Sequence, residues 1–242
     1  MQAENGIQIN KYISSSGYCS RREADVLVAQ GRVMINDNLA LPESRVLAQD
    51  KVYVDDELLK QKKTDFVYLI LNKPKGITTT TDLQDKSNVI RFLNYPKRIF
   101  PVGRLDKDSD GLLLLTDDGD IVNKILRAGN AHEKEYVVTV NKPVTPDFIV
   151  RMSKGLPILG TTTLPCKVKK EGSRKFSITL IQGLNRQIRR MCQYLGYDVV
   201  TLTRVRLMNL HLDQLPPGKW RTLHKKEVET LHNMLKDSTK TN

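Results

Sequence analysis

The stretch from Val102 to Thr116, Val-Gly-Arg-Leu-Asp-Lys-Asp-Ser-Asp-Gly-Leu-Leu-Leu-Leu-Thr, constrains the fold more than any other part of the chain. Leu112 to Leu115 is an apolar run too short for a helix, so it reads as a buried strand. The residues before it form a polar turn rich in Asp, Ser and Gly. The reading is strand, polar loop, strand, with the Asp106 carboxylate at the mouth of the loop. Such a loop can hold a carboxylate in an open site on a rigid frame. The competing reading is a turn carboxylate bonded to its own backbone amides.

Hydrophobic residues make up 39% of the 242 positions, enough for a core. No apolar run approaches the ~20 residues of a membrane span. Met1 to Asn10 lacks a basic segment followed by an apolar block, so no secretory signal is expected. Cys19, Cys166 and Cys192 are widely spaced and odd in number, which argues against a disulfide framework or a zinc knuckle. His132, His211, His224 and His232 show no ligand spacing. The expectation is a cytoplasmic, reduced, metal-free chain with no membrane partner. Its formal net charge of +12 is unevenly placed. Residues 1–62 hold 8 Lys and Arg against 9 Asp and Glu, whereas residues 63–242 hold 31 against 18. A basic surface of that size suits a polyanion, most simply nucleic acid.

Ile7 to Ser15 reads as a short helix broken at Gly17. Ser20-Arg21-Arg22-Glu23 is a capping box that opens a helix running to Gln30, with Gly31 as its stop. Arg21 and Arg22 lie in the first turn, where the helix dipole disfavours cations, so a bound phosphate would explain them. Val33 to Asn36 and Val52 to Val54 read as strands. Leu58 to Asp65 is polar and without periodicity, the best linker candidate. Phe66 to Leu71 is an apolar strand ending in the Asn72-Lys73-Pro74-Lys75-Gly76 turn. Thr78 to Asn88 reads as a mobile polar loop, and Val89 to Leu93 as a short helix.

Asp120 is expected to cap a helix reaching Arg127. Glu133 to Val140 is a β-rich run with Tyr136 and Val138 on one side. Thr145-Pro146 starts a helix that ends at Gly155. Cys166 to Lys170 and Phe176 to Ile181 are strands; Lys167 and Lys169 share a face that either follows a phosphate backbone or solvates an edge. Asn185 is expected to cap a helix closed by Gly196. Its Ile188, Met191, Cys192 and Leu195 form a core stripe, and Arg186, Arg189, Arg190 and Gln193 an adjacent cationic one.

Gly103-Arg104-Leu105-Asp106, with Ser109 and Gly111-Leu112, resembles the catalytic signature of the RNA pseudouridine synthases. Lys134-Glu135-Tyr136 is similar to the second motif of that family, and Gly183 to Met191 to the third. Asn10-Lys11-Tyr12-Ile13, Gly17, Ser20 to Ala24, Gly31-Arg32-Val33 and Asn36 resemble an S4 RNA-binding domain. The two-part layout is that of the S4-containing branch typified by the small-subunit rRNA synthase A. Details such as Lys107-Asp108-Ser109 and Ile125 to Asn130 look most like the large-subunit synthase F type.

The resemblance implies an α+β fold: an S4 domain over residues 1–62 tethered to a catalytic domain over 63–242. The latter would hold a mixed, mainly antiparallel sheet flanked by helices. It implies isomerisation of a specific uridine in 23S ribosomal RNA, with Asp106 as nucleophile, Tyr136 stacking on the target base and Arg189 pairing with Asp106. Lys11, Arg21, Arg22, Arg32, Arg104, Arg186 and Arg190 would contact RNA. The isomerisation leaves composition and oxidation state unchanged, so no cofactor is required, and the chain is expected to act as a monomer. A synthase acting on tRNA and a non-catalytic ribosome assembly factor are the alternatives.

Overall fold

The computed structural model describes residues 6–60 and 66–238, and the chain divides into two compact units, 1–66 and 67–242. In the first, β1 (Ile7–Gln8) leads directly into α1 (Ile9–Ser15), followed by α2 (Arg21–Ala29). Then come β2 (Val33–Ile35), β3 (Asn38–Leu39), β4 (Arg45–Val46), β5 (Val52–Val54) and β6 (Glu57–Leu58). The capping box forms as expected: the Glu23 amide donates to Ser20 Oγ at 3.2 Å and the Ser20 amide to Glu23 Oε2 at 2.7 Å. Ile9, Ile13, Ala24 and Val28 bury one face of each helix against Val33, Val52 and Val54 of the sheet β3-β2-β5-β6. The expected linker is already β-structure at Leu58, and its 61–65 portion lies outside the described residues.

The second unit runs β7 (Tyr68–Lys73), α3 (Val89–Leu93), β8 (Phe100–Pro101), β9 (Asp110–Thr116), α4 (Gly119–Leu126) and β10 (Lys134–Val140). It continues with α5 (Pro146–Ser153), β11 (Pro157–Ile158), β12 (Thr161–Thr162), β13 (Lys167–Gly172), β14 (Lys175–Leu180) and α6 (Gln187–Tyr194). It closes with β15 (Val199–Leu207), β16 (Leu210–His211), β17 (Trp220–Thr222) and α7 (Lys225–Met234). The main sheet has the order β13-β14-β10-β15-β9-β7-β17, with β16 beside β15 and β8 beside β9. All its pairings are antiparallel except β15 with β9. The fold is therefore α+β with a mixed, mainly antiparallel sheet.

The four leucines of β9 are all fully buried because the sheet is covered on both faces there. Leu112 and Leu114 join Ile121 and Ile125 of α4 and Leu231 of α7. Leu113 and Leu115 face the other way, toward Val89 and Leu93 of α3 and toward Leu105. A third cluster packs Phe148 and Met152 of α5 and Ile188, Met191 and Cys192 of α6 on β10 and β14. Tyr136 is half-buried and touches both the second and the third cluster.

Gly111 sets how β9 meets β15. Its φ is +102°, and a Cβ there would lie 2.3 Å from the Arg204 carbonyl oxygen. Only glycine permits the parallel register Gly111 opposite Arg204.

Several local expectations shift. Strand β7 continues through Asn72 and Lys73, because the Asn72 amide donates to Lys219 O at 2.9 Å. Asp118, not Asp120, caps α4, accepting from the Asp120 amide at 3.0 Å. The 78–88 loop is closed on itself: Thr78 N donates to Ser87 O, Val89 N to Thr78 O, and the Thr78 and Ser87 hydroxyls bond at 2.9 Å. Asn185 does not cap α6; Arg186 does so in the left-handed region, at φ +48° and without a side-chain cap bond. Asn185 instead accepts from Arg190 at 3.1 and 3.3 Å.

Candidate active site

Asp106 sits in the loop between β8 and β9, whose ends are zipped by Phe100 opposite Thr116 and Pro101 opposite Leu115. The loop is held from below by the turn after β7. Thr79 Oγ1 donates to Leu105 O at 2.8 Å, and the Gly76 amide donates to Lys107 O at 2.8 Å. Lys73 supports that turn, donating from Nζ to Pro74 O and Ile77 O, each at 2.9 Å. It is wholly buried. Burial lowers its pKa to about 8, against the opposing pull of the Asp110, Asp106 and Asp108 carboxylates. The frame fixes the backbone on both sides of Asp106 and leaves its side chain 32% exposed.

That side chain opens into a cleft of about 380 Å³, bordered also by Gly103, Arg104, Tyr136, Arg186 and Arg204. The volume lies within the range of small-molecule sites, ~300–1,000 Å³. Tyr136 reaches the cleft from β10, opposite Arg204 of β15. The register slips between Glu135, which faces Arg206, and Tyr136. Such a bulge kinks the ladder and re-aims the side chains beside it.

The guanidinium groups are distributed differently from expectation. Arg186 forks onto Asp108, with NH1 and NH2 each 3.1 Å from a carboxylate oxygen, and its NH1 lies 3.6 Å from Asp106 Oδ2. Arg189 NH2 donates to Asp108 O at 3.0 Å and Ser109 Oγ at 3.2 Å, and lies 3.4 Å from Asp108 Oδ2. So Arg186 is the cation that pairs with Asp106, and Arg189 braces the loop two and three residues on. About one helical turn separates the two arginines; Arg186 reaches both Asp106 and Asp108, whereas Arg189 reaches the Asp108–Ser109 end of the loop. The Arg186 fork, helped by Arg189, holds the Asp108 carboxyl below its ordinary range.

Three buried cations escaped the sequence reading. Arg204 is 3% exposed; its Nε donates to Leu112 O at 2.7 Å, and its NH2 is buried without a hydrogen-bond partner. Lys134 borders the cleft, and burial together with Arg204 lowers its pKa to about 8. Lys73 is the third. Lys134 stands in the Lys134-Glu135-Tyr136 motif, but nothing local marks any of the three as buried, since alternation in a strand does not distinguish a solvated cation from one that the tertiary fold buries. The tripeptide Asn72-Lys73-Pro74 before a turn is the single hint, and it read as loop.

The remaining candidates are surface groups. Arg104 is exposed and Arg190 half-buried on the second unit. On the first, Arg21 and Arg22 are exposed at the start of α2 and Lys11 is partly buried in α1. Arg32 is paired with Asp55, its Nε donating to Asp55 Oδ1 at 2.7 Å, so any RNA contact competes with that fork. Lys167 bonds Glu133 at 2.8 Å and Lys169 lies 3.5 Å from Glu171, both on the edge strand β13.

The Asp106 carboxylate, the Tyr136 ring and the Arg186 and Arg204 side chains thus border one cleft in the second unit. Residues 67–194 match the RNA pseudouridylate synthase family and residues 9–52 the S4 domain, and the chain belongs to that synthase family. It is an RNA pseudouridine synthase of the S4-containing branch. It is 53% identical over 240 residues to the dual-specificity RNA pseudouridine synthase RluF of Salmonella typhi, covering 99% of this chain and 83% of that one. It is 32% identical to the ribosomal large subunit pseudouridine synthase B of Bacillus subtilis, covering 93% and 95%. A crystal structure of a pseudouridylate synthase superposes with a TM-score of 0.69 at 30% identity, covering 93% of this chain and all of that one. Among the described residues no helix is long and apolar enough to cross a membrane.

Proposed function

We propose that this synthase converts a uridine of 23S ribosomal RNA to pseudouridine, with Asp106 as the nucleophile. The observation that carries the reading is that Asp106 and Tyr136 border one cleft, with the Arg186 guanidinium 3.6 Å from the carboxylate. Breaking the base–ribose bond and remaking it through carbon needs a nucleophile, a surface on which the freed ring can turn, and a group to take the C5 proton. The Arg186 guanidinium beside Asp106 orients the carboxylate toward a base bound in the cleft. The Tyr136 face tolerates rotation of a stacked ring, and its hydroxyl is the candidate for removing the C5 proton. The target uridine leaves its stack to enter the cleft. Arg204 NH2, buried and unpaired, is the donor left over for a carbonyl of the base. Arg189 keeps Asp106 in place through Asp108 and Ser109.

The S4 unit, ending near residue 62, holds the RNA through Lys11, Arg21 and Arg22 on the helix start, while Arg104 and Arg190 meet its phosphates beside the cleft. The large subunit is favoured by the name of the Bacillus relative. The dual-specificity name of the Salmonella relative supports a second RNA target, for which tRNA is the class to test. Pseudouridine mapping of rRNA and tRNA from cells with and without the gene decides this: a site lost from 23S rRNA is expected. No lost site in either class would overturn the reading.

A further inference from the structure

Trp220 is the one tryptophan of the chain, and it stands 43% exposed on the edge strand β17. Large aromatic side chains are usually well buried, so an exposed one at a sheet edge calls for a partner. It is not isolated. Its ring meets Tyr95 edge-on, with centroids 5.5 Å apart. Phe92, 40% exposed at the end of α3, lies over Gly218, where an added Cβ would stand 3.5 Å from the ring. Phe92, Tyr95 and Trp220 thus form one aromatic ledge from two distant chain segments.

The two segments that carry it are rich in cations, with Asp213 and Glu227 the acids near Arg221. Residues 89–100 carry Arg91, Lys97 and Arg98 and no acid; residues 214–221 carry Lys219 and Arg221 and no acid. Arg221 is paired with Glu227 at 2.8 Å, and Arg91, Lys97 and Lys219 are exposed. Exposed aromatic faces set among cations are the combination that binds single-stranded nucleic acid: bases stack and phosphates pair. A protein partner entering the bare edge of β17 would need only the backbone and gains nothing from a cationic rim.

The ledge shares a face of the sheet with the cleft. Trp220 lies opposite Leu71 in the β17–β7 pair, and opposed residues point the same way. Leu71 belongs to the cluster of Leu105 and Leu113, against which Tyr136 also packs. Strand β17 is four places from β10 in the sheet, so the ledge stands ~19 Å from Tyr136 along the sheet. The exposed Lys75 and Lys107 stand on the turn and loop that the bond from the Gly76 amide to Lys107 O joins.

We propose that Phe92, Tyr95 and Trp220 are a stacking ledge for unpaired bases of the substrate RNA some nucleotides away from the target uridine. The proposal rests on the synthase reading of the cleft. It gives the catalytic unit its own grip on single-stranded RNA, independent of the S4 unit.

The lone tryptophan makes the test direct. Titrating the full chain with single-stranded oligouridylate is expected to quench its intrinsic fluorescence, and fully duplex RNA to quench it far less. Trp220→Ala should weaken binding of a labelled single-stranded RNA roughly fivefold to a hundredfold, the effect of losing one stacked base. Trp220→Phe should restore most of the loss, and Phe92→Ala should weaken binding in the same sense. Turnover of all three at saturating RNA is expected to match the unsubstituted chain, which separates a failed ledge from a failed catalytic reading. Unquenched fluorescence under saturating RNA, or unchanged affinity in Trp220→Ala, would overturn the proposal and leave the ledge to a protein partner.

Discussion

The two units use positive charge in opposite ways. The S4 unit has a net charge of −1 over residues 1–62, and Arg21 and Arg22 stand exposed at the start of α2. The catalytic unit is strongly basic, yet Lys73, Lys134 and Arg204 are buried beneath or beside the cleft. A cation on a surface contributes long-range attraction that salt screens and that tolerates displacement. A cation buried beside carboxylates is costly to desolvate, is felt over a few ångströms, and acts only in the right place. On the function proposed above, the cations of the first unit hold a polyanion and those around the cleft of the second fix a carboxylate. Substitutions should separate the two sets of cations by what they change: affinity at Arg21 and Arg22, turnover around the cleft.

The largest effect is expected at Asp106. Asp106→Asn keeps the size and most of the hydrogen bonding but removes the charge; it should fold, bind RNA and make no detectable pseudouridine, read as tritium release from C5-labelled RNA. Clear product from this variant would return the chain to the role of a binding protein. Next comes Tyr136→Phe, which keeps the ring and its packing on both clusters. Turnover is expected to fall about 10²-fold, as for a lost general base, with RNA affinity unchanged. Near-normal turnover would mean that Tyr136 only stacks.

A pH series sharpens the contrast between buried and exposed cations. Lys73 and Lys134 have pKa values near 8, lowered from 10.5 by burial. Below about 8 both are charged; as pH rises through 8 the carboxylates around Asp106 lose the Lys73 charge, and turnover should decline. The folding contribution runs in the other direction. The unfolded chain holds those protons up to 10.5, so between about 8 and 10.5 these groups make the folded state more stable as pH rises. An alkaline loss of turnover without loss of thermal stability is the expected signature, and Lys73→Met should flatten part of it. An identical profile in that variant would remove Lys73 from the account.

The smallest effect on turnover belongs to the S4 unit. Arg21→Glu with Arg22→Glu should weaken RNA binding and lower the salt dependence of affinity by about two contacts, while turnover at saturating RNA stays the same. Unchanged affinity at fixed salt would mean that the two arginines are solvated surface and no more.

Much of this molecule is written in short stretches of sequence. The capping box of Ser20 and Glu23, the Thr145-Pro146 helix start, the Ile188–Met191–Cys192 stripe and the leucine strand after the Asp106 loop all appear where the residues place them. Each depends on contacts within about one helical turn, or on a single alternation, which adjacent residues decide among themselves. Tertiary structure decided the rest. Asn185 and Asp120 were both suitable caps, but the approach of the neighbouring segments left those tasks to Arg186 and Asp118. Arg189 matched its motif, yet the fold turned it to Asp108 and Ser109 and brought Arg186 to Asp106. The parallel contact of β9 with β15, which buries Arg204 against Leu112 O, and the antiparallel β10–β15 pairing, which sets Arg204 opposite Tyr136, join residues far apart in the chain. A backbone register of that kind depends on the packing of every element between, and local residue patterns carry no trace of it beyond the bare Cα of Gly111.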